Sequence, residues 1–470
     1  MSPDIEHLGH ACTKFTNAGV SLTSDPFFYP AFLKSWFPLP DNRHLLPKAL
    51  DSDYIYISHA HEDHFDREFL KRVDSARTTI IVPRFRSSYL WREVVKLGFE
   101  PVVLGHGETC ELPGDILITM LIDRSHKEDS ALLVDCGGFR FLNSNDCELA
   151  IPDWPTGVDL LACQFSGAFW YPHCYDFDHQ QQFTKAQEVR KNNLERLYRR
   201  VNLTGARSYL PSAGPAVFLD PALMQYNRHG GIFQTWEEAA WGFSDEFPDR
   251  AIWPYLNNPV SVKEYSGQRR GEWGAYYSMP DSHVTEEELN CHFRALQSFN
   301  KRFLRDWHKD VVVSSPEPFS ARPWERGIRL GLLADELEEA FNPEYFLSVP
   351  PRVLRAVVDG RVTWETALLS MRVSLHRDPD VYDNTLMGLL SFGDRPVQTL
   401  TMARQQAAEE MTVKDGYEFQ RWCPHAGEDL NHAVIEDGKI TCIRHKWCWD
   451  ANTGECLTGQ GVPLKVRKSD

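Results

Sequence analysis

The sequence predicts an α+β protein of two or three domains, and three observations predict it. Over the first 250 residues, short β-branched and aromatic runs alternate with helical patterns. Near residue 311 the texture becomes mostly helical, with proline and glycine punctuation. The final stretch returns to short strands, with two Cys-His pairs between them. A chain of 470 residues exceeds one hydrophobic core, and the expected units are 1–310, 311–400 and 401–470.

The strand signals come in order as "VSLTSDPFF", "DYIYIS", "TTIIVP", "PVVLG", "DILITMLI", "SALLVD" and "FRFLNSND". Helical patterns interrupt or follow them, as in "DREFLKRVDSA", "SSYLWREVVKLG" and "TKAQEVRKNNLERLYRRV". In the last of these, Val189, Leu194, Leu197 and Val201 share roughly one face. Many short strands with helices outside them predict sheets sandwiched between helices. Beyond residue 311, "GIRLGLLADELEEAF", "PPRVLRAVVDG", "TWETALLSMRVSLHRD" and "VYDNTLMGLLSF" read as helical, and "GDRPVQTL" reads as a boundary.

The net charge of −16 argues against a nucleic-acid surface, which needs a basic face. A small anion needs only a local cluster, for which Arg269 and Arg270 in "GQRRGEW" and the basic side of "HFRALQSFNKRFLRDWHKD" are candidates. The N-terminal residues do not read as a signal peptide, and no apolar run reaches the ~18 residues of a membrane span. Eleven cysteines at irregular spacings read as thiols and metal ligands, which points to the cytoplasm.

Two motifs carry chemistry. "DYIYISHAHEDHFD" is an apolar strand running into H-x-H-x-D-H, with His59, His61, Asp63 and His64 on one tight loop. Four ligand-type residues in six positions are hard to explain as packing, and two neighbouring metal ions are their natural occupants. The second motif is "CPHAGEDLNHAVIEDGKITCIRHKW": Cys423 and His425, sixteen residues, then Cys442 and His445. Two thiolates and two imidazoles could hold one zinc. A zinc ribbon, however, normally brings C-x-x-C knuckles or an H-x₃₋₅-H helix. A Rieske [2Fe–2S] cluster takes two cysteines on one iron and two histidines on the other, which is the set present.

The C-terminal motif, with the trailing "WCWDANTGECL", resembles the Rieske domains of oxygenases and ferredoxins. Respiratory Rieske proteins carry two extra cysteines in the cluster loops, where Glu428 and Arg444 stand here; the resemblance therefore implies the electron-delivering branch. "HAHEDH", together with "HLGHACTKFTNAGVSLTSDPFF", resembles the metallo-β-lactamase superfamily, which implies an αβ/βα sandwich. That resemblance implies further ligands: His126 in "DRSHKEDSALLVD", a bridging Asp146 in "FRFLNSNDCEL", and His229 in "YNRHGG", with His173 and His179 as rivals to His229. The segment holding those rivals, "QFSGAFWYPHCYDFDHQ", reads better as substrate wall. His10 in "LGHA" is expected near the pocket as a ligand, a supporting group or a buried imidazole.

The two modules together resemble the CMP-N-acetylneuraminate hydroxylase family, also through "SGAFWYPHCYDF" and "TWETALLSMRVSLHRDPDVYDNTLMGLLSFGD". In the animal enzymes the Rieske domain comes first; here it comes last. The resemblance implies an O₂-dependent non-haem iron monooxygenase, with one or two irons, that hydroxylates or N-oxygenates a small polar substrate. It implies an external ferredoxin or reductase as donor, and a homo-oligomer if one chain's cluster must reach another's iron. A hydrolase consumes no electrons, which disfavours the alternative of a zinc-dependent metallo-hydrolase with a redox-sensing Rieske domain. A non-catalytic iron protein would leave the ligand set of "HAHEDH" unexplained.

Overall fold

The computed structural model describes residues 3–167, 169–214, 216–228, 230–256, 260–304, 307–315, 324–332, 339–406, 410–424, 428–443, 446–458 and 462–467. The chain divides into two units, 1–169 with 178–278, and 170–177 with 279–470.

The first unit is built on two sheets. The first takes β1 (Asp4–Gly9), β2 (Cys12–Asn17), β3 (Val20–Ser24), β5 (Tyr54–Tyr56), β6 (Thr79–Pro83) and β7 (Val102–Leu104), in that spatial order. Strands β1 to β3 form an antiparallel meander, and β3 to β7 run parallel. A short β4 (Trp36–Pro38) pairs separately with β14 (Ala216–Phe218). The second sheet runs β15-β13-β12-β11-β10-β9-β8, from β8 (Thr109–Leu112), β9 (Ile116–Ile122), β10 (Ser130–Cys136), β11 (Phe139–Asn145), β12 (Leu160–Gln164), β13 (Ser208–Ser212) and β15 (Ala251–Ile252). It too is an antiparallel meander continued by parallel strands.

Side-chain alternation explains the layering. Phe15, Tyr56 and Ile81 of the first sheet meet Ile118, Met120, Leu132, Val134 and Leu160 of the second in one core. The opposite faces are equally apolar. Ile55, Ile80 and Val82 pack with Leu90 and Val94 of helix Tyr89–Lys96, while Leu133, Leu142 and Leu161 pack with Leu197 and Val201 of helix His179–Thr204. Strands buried on both faces need helices outside them, and the result is the expected αβ/βα sandwich. The long helix is fixed at its start by a capping box between Asp178 and Gln181, and stops at Gly205 in the left-handed conformation.

The second unit holds a sheet ordered β17-β16-β18-β19, from β16 (His308–Ser315), β17 (Trp324–Gly331), β18 (Tyr345–Ser348) and β19 (Ser374–Arg377). Helices Glu286–Phe299, Pro351–Val358, Trp364–Leu369, Asn384–Phe392 and Pro396–Gln406 accompany it. The sequence pattern predicted helix for "GIRLG" and "SLHRD", and both are strands. In β17, Ile328 and Leu330 are buried while Arg329 pairs across to Asp310 at 2.6 Å, a period of two inside a run too short to fix the period by itself. Gly327 is also needed there, because a Cβ would lie 2.7 Å from the Phe341 ring. Residues 170–177 join this unit by backbone hydrogen bonds to Leu375.

The chain's last part is all-β. β20 (Met411–Lys414) and β21 (Tyr417–Gln420) pair with β25 (Val466–Arg467), and β22 (Val434–Glu436), β23 (Lys439–Thr441) and β24 (Cys448–Asp450) form a second small sheet. Trp449, Phe419, Ile440 and Leu464 make their common core. Among the described residues no helix is long and apolar enough to cross a membrane.

Candidate metal centres

The ends of several strands of the first unit converge on one patch. β5 runs through Ile57 and Ser58 into the H-x-H-x-D-H loop, which closes into a turn: His64 and Phe65 both donate backbone N–H to the His61 carbonyl, at 3.0 and 2.7 Å. Asp66 then caps helix Arg67–Leu70 and accepts from the backbone N–H groups of Phe28 and Tyr29, tying this loop to the one after β3. β1 ends at Gly9 and His10, β3 at Asp25, β11 at Asn145 and Asp146. Gly9, at φ 108°, lies against Asn42, which a Cβ would meet at 2.9 Å, so the turn that presents His10 requires glycine. His10, Asp25 and Asn145 themselves sit at positive φ, and such backbone strain collects where surrounding packing fixes a functional group.

Two three-residue clusters result. In one, ligand atoms of His59, His61 and Asp146 all lie within 4.8 Å of one another; in the other, so do those of His10, Asp63 and His64. His64 links them, its Nε2 standing 3.4 Å from Asp146 Oδ2 and 3.7 Å from Asp63 Oδ2. His10 Nε2 is 3.1 Å from Asp63 Oδ2, and His59 Nε2 faces His61 Nδ1 at 2.9 Å.

Behind the histidines stand carboxylates. Asp25 Oδ2 lies 3.0 Å from His64 Nδ1 and accepts from Asn145 Nδ2 at 2.6 Å, and the Asn145 carbonyl oxygen accepts from Ser212 Oγ. Ser58 donates both its backbone N–H and its hydroxyl to Asp25. Asp129 Oδ1 lies 3.2 Å from His59 Nδ1. A carboxylate on Nδ1 fixes the proton there and turns Nε2, as a lone-pair donor, toward the shared patch.

The electrostatics ask for a cation. Burial opposes a charged His64, yet Asp146 and Asp63 overcome it and hold the imidazole proton well above its ordinary range. Burial likewise opposes charge on Asp63 and Asp146, and His64 pulls both carboxyls below their usual range. His10 Nδ1, His64 Nε2 and Asp146 Oδ1 are buried without a hydrogen bond. A buried, unsatisfied His64 Nε2 between two carboxylates, with three more imidazoles in the two clusters, fits a pair of first-row metal ions, iron or zinc.

The expected residues fall as follows. His59, His61, Asp63, His64 and Asp146 are brought together. His126 is buried on the β9–β10 loop, three residues before Asp129, and belongs to neither cluster. His229 lies outside the described residues. His173 is in the second unit, and His179 is exposed at the start of the long helix. Sequence reading left His10 open and missed Asp25, Asp129, Asn145 and Ser212. The available signal was position alone, immediately beyond or at the end of a strand. Arg269 is an interior strut with 1% exposure, held by Glu272, the Tyr265 hydroxyl and the Phe28 carbonyl; this differs from the anion cluster considered above.

In the second unit, Cys423 follows β21 and Cys442 follows β23, and both are buried in the all-β core. Each opens a tight loop: Cys423 N–H donates to the Glu428 carbonyl and Cys442 N–H to the Trp447 carbonyl, both at 2.8 Å. His425 and His445 lie outside the described residues.

The β-lactamase superfamily domain matches residues 4–141, and the Rieske [2Fe-2S] domain matches residues 398–466. The latter implies a [2Fe–2S] cluster. A protein of Mycolicibacterium smegmatis described as a Rieske 2Fe-2S iron–sulfur protein is 26% identical, with 99% of each chain covered. The cytidine monophosphate-N-acetylneuraminic acid hydroxylase of Mus musculus is 24% identical over 80% of this chain and 71% of its own. Among solved structures, CmlA, a diiron β-hydroxylase from Streptomyces venezuelae, covers 55% of this chain and 54% of its own at 17% identity, with a TM-score of 0.36.

Proposed function

We propose, for a chain that carries a β-lactamase superfamily domain and a Rieske [2Fe-2S] domain, the activity of an O₂-dependent monooxygenase acting on a small polar molecule, by hydroxylation or N-oxygenation. The observation that carries this reading is the presence, in one polypeptide, of two linked His/Asp clusters that could hold metal and of a Rieske [2Fe-2S] domain. Hydrolysis at such a centre needs no electrons; oxygenation consumes two electrons and two protons for each O₂, leaving one oxygen in product and one in water. The hydroxylase activity named for the Mus musculus relative, similar over most of this chain, supports the reading.

His59, His61 and Asp146 would hold one iron, and His10, Asp63 and His64 the second, with His126 and His229 as further candidate ligands from neighbouring loops. Iron with open coordination positions supplies dioxygen activation, and the Rieske cluster, on Cys423, His425, Cys442 and His445, supplies single electrons. The chain's own part is to hold these groups rigidly. Asp25 and Asp129 keep the Nδ1 protons of His64 and His59 in place, so Nε2 stays available. Asp146, with 21% of its side chain exposed, is the carboxylate that opens toward incoming substrate. An external ferredoxin or reductase would feed the cluster.

The test is metal, labile sulfide and EPR on freshly purified protein, followed by O₂ uptake in the presence of a reductant. Iron beyond the two atoms of the cluster, with reductant-dependent O₂ consumption, is expected. Stoichiometric zinc in the first unit after growth in iron-rich medium, with no O₂ uptake, would return the centre to hydrolysis.

A further inference from the structure

Within the second unit a cavity of about 500 Å³ lies beside the loop that carries Cys423. One wall is Trp307, Lys309, Glu344 and Asp383; the other is Gln420, Pro424, Leu464 and Lys465. Asn384 joins the walls, donating to the Pro424 carbonyl at 3.4 Å.

The polar groups of the first wall satisfy one another. Lys309 Nζ lies 2.6 Å from Glu344 and 3.4 Å from Asp383. Asp383 also accepts from Trp307 Nε1 and from the backbone of Leu386. The second wall is different. Gln420 is 2% exposed and its Nε2 has no acceptor. Lys465 has no ion-pair partner among the described residues; its backbone carbonyl accepts from Gln420 N–H, which keeps the two side by side along the chain pairing. An unsatisfied buried donor, on a residue backbone-paired with a lysine that lines the same cavity, calls for an acceptor oxygen, and native interiors rarely leave such a donor unmet. Val381, Val462, Pro463 and Leu464, with Trp307 and Tyr382, supply apolar and aromatic surface for the rest of an occupant.

We propose that this cavity binds a small carboxylate with an aromatic or apolar body, its carboxylate taken by Gln420 and Lys465. The site is separate from the His/Asp centre and does not depend on the oxygenase reading. Because Pro424 lines it, occupancy is felt at the Cys423 loop.

The experiment titrates indole-3-propionate into the oxidised full-length holoprotein by calorimetry, with tryptamine, which lacks the carboxylate, as control. EPR of the dithionite-reduced cluster is recorded with and without the probe. Saturable binding of the acid alone is expected, with a changed EPR line shape. Lys465→Met and Gln420→Leu should each weaken it at least about tenfold while labile sulfide stays constant. Lys465 is exposed, so its variant keeps the test open should Gln420→Leu fail to fold. No saturable heat at millimolar concentrations, equal binding of tryptamine, or unchanged affinity in Lys465→Met would overturn the proposal. Absence of O₂ uptake would leave it standing.

Discussion

His64 has no exposed surface and stands between Asp146 and Asp63 on one side of its ring and Asp25 on the other. Replacing it by alanine removes the donor that joins the two clusters. His64→Ala should lose the metal of the first unit on desalting while labile sulfide is unchanged; elemental analysis reads the result. Asp25→Asn is subtler, because the shape survives and only the charge behind His64 is lost. Metal retention against a chelator should fall about 10- to 100-fold, the usual cost of removing a carboxylate partner of a ligating histidine. At this scale the sequence was uneven. "HAHEDH" was legible because four ligand types crowd into six positions. Asp25 and Asp129 were not, since a single acid beside a strand looks like any turn residue until its distant histidine is in place.

Helix Glu286–Phe299 shows how an element is held by both ends of its own chemistry. Thr285 and Glu288 form a capping box, and Glu288 also accepts from Arg355 at 3.0 Å. These hydrogen bonds, that of Arg355 first, bring the Glu288 carboxyl down to about 2 from its ordinary 4.5. The stabilisation is therefore complete above pH ~4.5 and is lost as pH falls from there toward 2. Melting temperature of the wild-type chain should drop across that window, and Glu288→Gln should show a shallower drop. Equal slopes would mean that other carboxyls carry the acid sensitivity. Elements with sustained periodicity, such as helix His179–Thr204, could be read from the sequence, as could β3, β5, β6, β7, β9, β10 and β11 of the sandwich, whereas β12, β13 and β15 were not. β17 and β19 could not: each is short and mixed in composition, and its period is decided by its partners, β16 and β18.

For the molecule as a whole, the His/Asp clusters and the buried Cys423 and Cys442 belong to separate units, each with its own core. Cys442→Ser should abolish the Rieske EPR signal and the labile sulfide yet leave metal in the first unit. Joint loss of both would contradict independently built centres. The sequence by itself determined the kinds of chemistry present, because the loop histidines and the Cys-His pairs are local features that survive any arrangement of the rest. It also determined the sandwich, since strands apolar on both faces must be covered on both. Only the tertiary structure decided that six candidate ligands, His10 among them, divide into two clusters linked by His64, and that Asp25, Asn145 and Ser212 form the support behind. Those residues lie up to about 150 positions from the loop they serve, and nothing local encodes a meeting made by the ends of separate strands.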